Sequence, residues 1–131
     1  MPEVALPEGR MISIVDDDQF VRESLTRLMK SLGYSVSQFA SAAEFLESPI
    51  LGKTACLIAD IHMPGMTGVE LYGRLTGAGR AIPTILITAF PDDSVREQAL
   101  NDGVFCYLAK PFRKEDLVNC VRSALDQAQS R

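Results

Sequence analysis

Ala55-Cys56-Leu57-Ile58-Ala59 is an unbroken apolar run that stops abruptly at Asp60, and it is followed by Ile61-His62-Met63-Pro64-Gly65-Met66-Thr67-Gly68. A run this short, bounded by a carboxylate and a Pro-Gly turn signal, reads as a strand buried on both faces. Strands of that kind belong to parallel sheets, whose crossovers cover both faces with helices. The flanking sequence supplies such helices. Upstream, Met11–Val15 is a second apolar run, ending in Asp16-Asp17-Asp18. Val21, Leu25, Leu28, Met29 and Leu32 then repeat at helical spacing up to a stop at Gly33. Tyr34 to Phe39 alternates as a half-exposed strand, and Ser41-Ala42-Ala43-Glu44 opens a short helix that must end before Pro49. Downstream, a weak helix around Val69, Leu71, Tyr72 and Leu75 runs into the Gly77/Gly79 loop, with Pro64-Gly65 and Gly68 read as a turn. Thr84–Thr88 is a β-branched strand, and Asp92 or Asp93 can cap a helix to about Asn101, with Gly103 as its stop. Phe105–Leu108 is a last strand closed by Lys110-Pro111. Leu117, Val121, Ala124, Leu125 and Ala128 carry the final helix.

Five strand–helix pairs in strict alternation predict an α/β, doubly wound parallel sheet of five strands. The 131 residues amount to one domain, large enough to fold without disulfides or a structural metal. Thirteen Lys and Arg against seventeen Asp and Glu give a net charge of −4, which argues against direct nucleic-acid or anionic-membrane binding. No apolar run approaches the roughly 20 residues of a membrane span, and MPEVALPEGR lacks the apolar core of a secretory signal. Cys56, Cys106 and Cys120 are odd in number and lack C-x-x-C spacing, as expected of reduced thiols in a cytoplasmic protein. Residues 1–9 are expected to be a disordered N-terminal segment preceding a domain over 10–128.

In doubly wound folds, chemistry collects beyond the carboxyl ends of the strands. Four strands here end in reactive or polar groups: Asp16, Asp17 and Asp18; Asp60; Thr88; and Lys110. If the first and third runs are neighbours, Asp16, Asp17 and Asp60 meet in one crevice. Three like charges there repel unless protons or a cation relieve them, and a hard, oxygen-seeking ion such as Mg²⁺ suits the site. Asp18 reads better as a helix cap. Lys110 adds a point charge able to neutralise a carboxylate or grip a phosphoryl oxygen. His62, the only histidine, forms neither a metal site nor a triad, and no serine or cysteine nucleophile motif accompanies it. Phe20, Phe90, Phe105 and Phe112 read as core or rim packing, and the cysteines as small core hydrophobes.

These stretches resemble the receiver domain of bacterial two-component response regulators. The matching residues are Ile14-Val15-Asp16-Asp17, Leu57 to Gly68 with its Asp-x-x-Met-Pro-x-Met-x-Gly pattern, Ile85-Leu86-Ile87-Thr88-Ala89 and Tyr107-Leu108-Ala109-Lys110-Pro111-Phe112. Phe90-Pro91 and Leu108 to Pro111 look most like the nitrogen-fixation regulator subfamily. The resemblance implies a flavodoxin-like (βα)5 fold with strand order 2-1-3-4-5. It implies that Asp60 accepts a phosphoryl group from a sensor histidine kinase. Asp16, Asp17, Asp60 and the backbone carbonyl of His62 would hold Mg²⁺, and Thr88 and Lys110 would contact the phosphoryl group. Tyr107 would be the aromatic switch residue, while His62 and Phe90 occupy the positions that set phosphoryl lifetime. The implied role is signalling rather than enzymic, with at most self-phosphorylation from small acyl phosphates and autodephosphorylation. Output would pass through the face of the fourth helix, last strand and last helix, to a homodimer partner or an output domain. An aspartyl-phosphate phosphatase of the haloacid-dehalogenase type is the alternative. Its first-strand Asp-x-Asp-x-Thr/Val pattern is not completed by Asp16-Asp17-Asp18-Gln19-Phe20, and the chain leaves no room for a cap domain. A flavodoxin-type electron carrier would need a phosphate-binding loop where three aspartates stand.

Overall fold

The computed structural model describes residues 10–129; the expected disorder of residues 1–9 lies outside the described residues. The described chain alternates strand and helix throughout. β1 (Met11–Val15), β2 (Ser35–Phe39), β3 (Thr54–Asp60), β4 (Thr84–Thr88) and β5 (Cys106–Ala109) form one sheet in the order β2-β1-β3-β4-β5. Every neighbouring pair is parallel, which is the doubly wound arrangement expected. The helices are α1 (Gln19–Ser31), α2 (Ala42–Glu47), α3 (Gly68–Gly77), α4 (Asp93–Asn101) and α5 (Lys114–Gln129). No helix among the described residues is long and apolar enough to cross a membrane.

Alternation of side chains along the strands divides the apolar residues between two cores. Ile12, Ile14, Cys56, Ile58, Ile85 and Ile87 pack beneath Leu25 and Met29 of α1 and Leu117, Val121 and Ala124 of α5. Val15, Leu57, Ala59 and Leu86 face the other way, against Phe45 of α2 and Leu71 and Leu75 of α3. β3 and β4 lie between neighbours on both sides and are almost wholly buried, which is why their sequences read as continuous apolar runs.

Local signals place the helix ends. Asp18 caps α1, its carboxylate accepting from the amides of Phe20 and Val21. Asp92 caps α4, and Thr67 and Glu70 close a reciprocal capping box on α3. The chain leaves α1 through Gly33 and α4 through Gly103, both at positive φ. Two local features went unread in the sequence. A short 3-10 helix spans Pro49–Lys53, and Gly68 is the first residue of α3 rather than part of the turn before it.

α4 is the most thinly attached helix. Of its nine residues only Ala99 is buried. Its two ends are held by tyrosine hydroxyls: that of Tyr107 accepts from the Asp92 amide at 3.0 Å, and that of Tyr72 donates to the Asp102 carbonyl at 3.3 Å. A cavity of about 190 Å³ lies between α3 and α4, bordered by Val69, Tyr72, Leu86, Ala99 and Val104.

Candidate functional site

The β1–β3 pairing sets Val15 beside Ala59, so both strands end at the same edge and deliver Asp16 and Asp60 side by side. β4 ends there with Thr88, opposite Ala109 of β5, and the Lys110 amide donates to the Thr88 carbonyl at 2.7 Å. Lys110 is therefore fixed by its own backbone next to the acids. The Lys110–Pro111 peptide is cis, the form that X-Pro bonds can adopt.

Asp16 and Asp60 are both buried, 1% and 6% exposed, whereas Asp17 is exposed. One oxygen from each of the three carboxylates can be chosen so that all lie within 4.8 Å of one another. At that separation two unit charges repel by about 3.5 kcal/mol at an effective dielectric of about 20. Lys110 offsets part of this, with Nζ 3.4 Å from Asp60 Oδ1 and 3.6 Å from Asp16 Oδ2. Burial pushes the Asp16 carboxyl above its ordinary range; the Asp18 amide opposes that rise and the neighbouring Asp60 adds to it. Burial also raises Asp60, against the pull of Lys110.

Asp16 is tied at three points. Its amide donates to the Phe39 carbonyl at 3.1 Å, its carbonyl accepts from Arg22 Nη1 at 2.7 Å, and its Oδ1 accepts from the Asp18 amide at 2.9 Å. Oδ2 is left over. It is the one buried side-chain polar atom among the described residues without a hydrogen-bond partner. A buried carboxylate oxygen with no hydrogen bond, met only by Lys110 at 3.6 Å and lying in a group of three carboxylates, fits a hard divalent cation, which takes oxygen ligands and relieves the repulsion.

Thr88 is wholly buried, and its hydroxyl accepts from the Phe90 amide at 2.9 Å, leaving its own proton available to a new acceptor. Tyr107 stands one strand over, half-buried, with its hydroxyl on the first turn of α4. His62 and Phe90 meet edge to face, with ring centroids 5.2 Å apart. Both are exposed, Phe90 by 69%. Phe20 is 85% exposed and lines an open groove of about 690 Å³ with Leu25, Leu28, Pro111 and Phe112. Phe20 and Phe90 are thus surface groups and not core, because the residues after β1 and β4 project beyond the edge that their strands bury. The three cysteines are free, and only Cys56 is fully buried.

Two contributors to this geometry were not identified from the sequence. Arg22 braces the Asp16 carbonyl from α1, and a side chain bonding to a backbone carbonyl leaves no periodic trace. Gly68 donates its amide to the Ile61 carbonyl at 3.0 Å, and its Cα lies against the Asp60–Ile61 peptide. A Cβ there would overlap the Asp60 carbonyl oxygen and stand 3.1 Å from its carbon and 3.2 Å from Ile61 Cα.

The chain matches the family model of the response regulator receiver domain over residues 12–122. It is 39% identical over 118 residues to the response regulator protein TmoT of Ectopseudomonas mendocina, covering 90% of this chain and 54% of that one. It is 34% identical over 123 residues to the transcriptional regulatory protein FixJ of Azorhizobium caulinodans, covering 94% of this chain and 58% of that one. The chain thus spans about half the length of the curated relatives it matches. Among solved structures, the response regulator StyR superposes with a TM-score of 0.86 at 36% identity, over 93% of this chain and 62% of that one. The family match covers most of the chain, the sheet order is the one expected, and an acidic cluster with a lysine sits at the predicted edge, so the chain belongs to the response regulator receiver domains, the phospho-receiver modules of two-component signalling.

Proposed function

We propose that Asp60 is the residue that takes the phosphoryl group, in a receiver unit spanning residues 10–128. The observation that carries this reading is the Asp60 carboxylate itself, which ends a buried strand with Lys110 Nζ at 3.4 Å and two further carboxylates beside it. A carboxylate oxygen of Asp60 forms a bond to phosphorus as the bond from phosphorus to the donor breaks. With a phosphohistidine on a sensor kinase as donor, the imidazole leaves with the bonding electron pair and takes a proton. With a small acyl phosphate, the carboxylate leaves. Lys110 is placed to hold a phosphoryl oxygen while charge spreads over the transferring group. Mg²⁺ held by Asp16, Asp17, Asp60 and the His62 backbone carbonyl would neutralise further charge on those oxygens.

The change of shape runs through Thr88 and Tyr107 on this reading. The Thr88 hydroxyl proton acquires an acceptor once Asp60 carries a phosphoryl oxygen, and Tyr107 and α4 respond next to it. Phosphorylation shifts the equilibrium only as far as the phosphoryl group is bound more strongly in the active arrangement than in the resting one. The face of α4, β5 and α5 then meets a second copy or an output domain; relatives of which the matching region makes up only 54–58% support such a linkage. Three free thiols support a reducing, cytoplasmic setting.

Intact-mass spectrometry after incubation with a small acyl phosphate and Mg²⁺ tests the assignment. A single phosphoryl adduct is expected on the wild type, lost in chelator and lost in Asp60→Asn. An adduct of equal yield on the Asn variant would refute the choice of residue.

A further inference from the structure

Arg22 stands on the first turn of α1, and its role follows from what it holds. Its own amide donates to the Asp18 carbonyl at 3.0 Å, closing the first turn of the helix. Its side chain folds back, and Nη1 donates to the Asp16 carbonyl at 2.7 Å. Asp18 caps α1 while its amide donates to Asp16 Oδ1. Residues 16 to 22 therefore form a closed loop of hydrogen bonds around the β1–α1 turn.

The Arg22 bond acts on the peptide unit joining Asp16 to Asp17. That unit is planar, so fixing its carbonyl fixes the direction in which the chain enters Asp17. Asp17 is exposed, and among the described contacts no hydrogen bond or ion pair holds its carboxylate. Its place in the three-carboxylate cluster is thus inherited from the backbone, and the backbone is held by Arg22.

We propose that Arg22 is a positioning residue for the cation site, holding the Asp16 and Asp17 carboxylates in the cluster they form with Asp60. This deepens the reading of Asp16, Asp17 and Asp60 as Mg²⁺ ligands and rests on it. The proposal has a sign that simple electrostatics does not share. A guanidinium near a dication site repels the dication, so removing its charge alone would tighten Mg²⁺ binding. Removing the brace loosens two ligands and weakens it, as loss of groups that orient metal ligands commonly does by tenfold or more.

The test is calorimetric titration of Mg²⁺ into wild type, Arg22→Met and Arg22→Lys, with thermal melts of each in chelator. Arg22→Met should bind Mg²⁺ about tenfold more weakly, a change equal to about 1.4 kcal/mol. Arg22→Lys, which keeps a donor able to reach the same carbonyl, should recover part of that loss. Melting in chelator should change far less than melting in saturating Mg²⁺, because the variant is impaired chiefly in the bound state. Equal or tighter Mg²⁺ binding by Arg22→Met would overturn the proposal. So would an equal fall in melting temperature with and without Mg²⁺, which marks a purely structural brace, or the absence of saturable Mg²⁺ binding by wild type. The acceptor assignment fails separately: an adduct that forms equally on Asp60→Asn removes Asp60 as acceptor and leaves the Arg22 titration standing.

Discussion

Replacing Gly68 by alanine adds one methyl group to a helix that otherwise gains from alanine, and the structure predicts that the domain is destabilised. The new Cβ would overlap the Asp60 carbonyl oxygen and press on Asp60 C and Ile61 Cα at 3.1 and 3.2 Å. All three obstacles are backbone, so no rotamer change makes room. Either α3 or the end of β3 must retreat. Overpacking of this kind costs about 1–3 kcal/mol, and the better helix propensity of alanine returns at most about 1 kcal/mol. Overlap with backbone places the cost at the upper end of that range, so the net loss is about 2 kcal/mol, equivalent to a melting temperature lower by roughly 6–10 °C in a domain of this size. Gly73 supplies the control. It lies in the same helix, exposed, and a Cβ on it meets nothing within 4 Å. Gly73→Ala should therefore be more stable than wild type by up to about 1 kcal/mol and melt higher. Circular-dichroism melts in chelator measure both, and the rate of adduct formation from a small acyl phosphate measures the second effect. Since the displaced backbone carries Asp60, Gly68→Ala should also react at least tenfold more slowly. A Gly68→Ala protein that melts at or above wild type, or reacts at the same rate, would refute the reasoning.

Thr88→Ala should still be phosphorylated, at a reduced rate, but should lose the phosphorylation-dependent change at Tyr107. Tyrosine-ring NMR before and after adduct formation reads this, and a wild-type response in the variant would remove Thr88 from the coupling. Phe90 is an exposed apolar ring packed on His62, so it can obstruct a water but cannot orient one by hydrogen bonding. Phe90→Glu should shorten the life of the phosphorylated form without abolishing its formation. Decay followed after removal of the donor, equal or slower in the variant, would contradict that role.

The parts of this molecule that were legible in the sequence are those encoded by short-range pattern. β3 and β4 announce themselves because a strand flanked on both sides must be apolar on both faces, and the strand ends are marked by the polar groups that follow. Helix limits at Asp18, Asp92, Gly33 and Gly103 follow from capping chemistry that acts within three residues. Resemblance, not periodicity, supplied the strand order. What escaped depends on where the chain goes next. Gly68 looks like any turn glycine until α3 is seen to begin against the Asp60 peptide. Phe20 and Phe90 carry the composition of a core and lie outside it, because each sits just past a buried strand end. Arg22 is one of several arginines, and nothing in its spacing distinguishes a guanidinium that reaches back to a carbonyl six residues earlier.

The slight attachment of α4 sets the energy scale on which this domain can signal. Ala99 is the one buried residue of that helix and two tyrosine hydroxyls bond its ends, the two bonds together contributing about 1–3 kcal/mol. A helix with so little buried surface belongs to the low-stability end of a fold, from which local opening that leaves the sheet intact is drawn. On the proposed reading, a new charge-assisted bond from Thr88 or Lys110 to a phosphoryl oxygen would contribute about 1.5–3 kcal/mol, which is the same magnitude. Input and response are therefore commensurate. A helix anchored as deeply as α5, with Leu117, Val121 and Ala124 all fully buried, would leave a phosphoryl group at the sheet edge with no consequence elsewhere. On that reading, weak anchorage at α4 is what would let a single small chemical event at the sheet edge shift the balance of conformations.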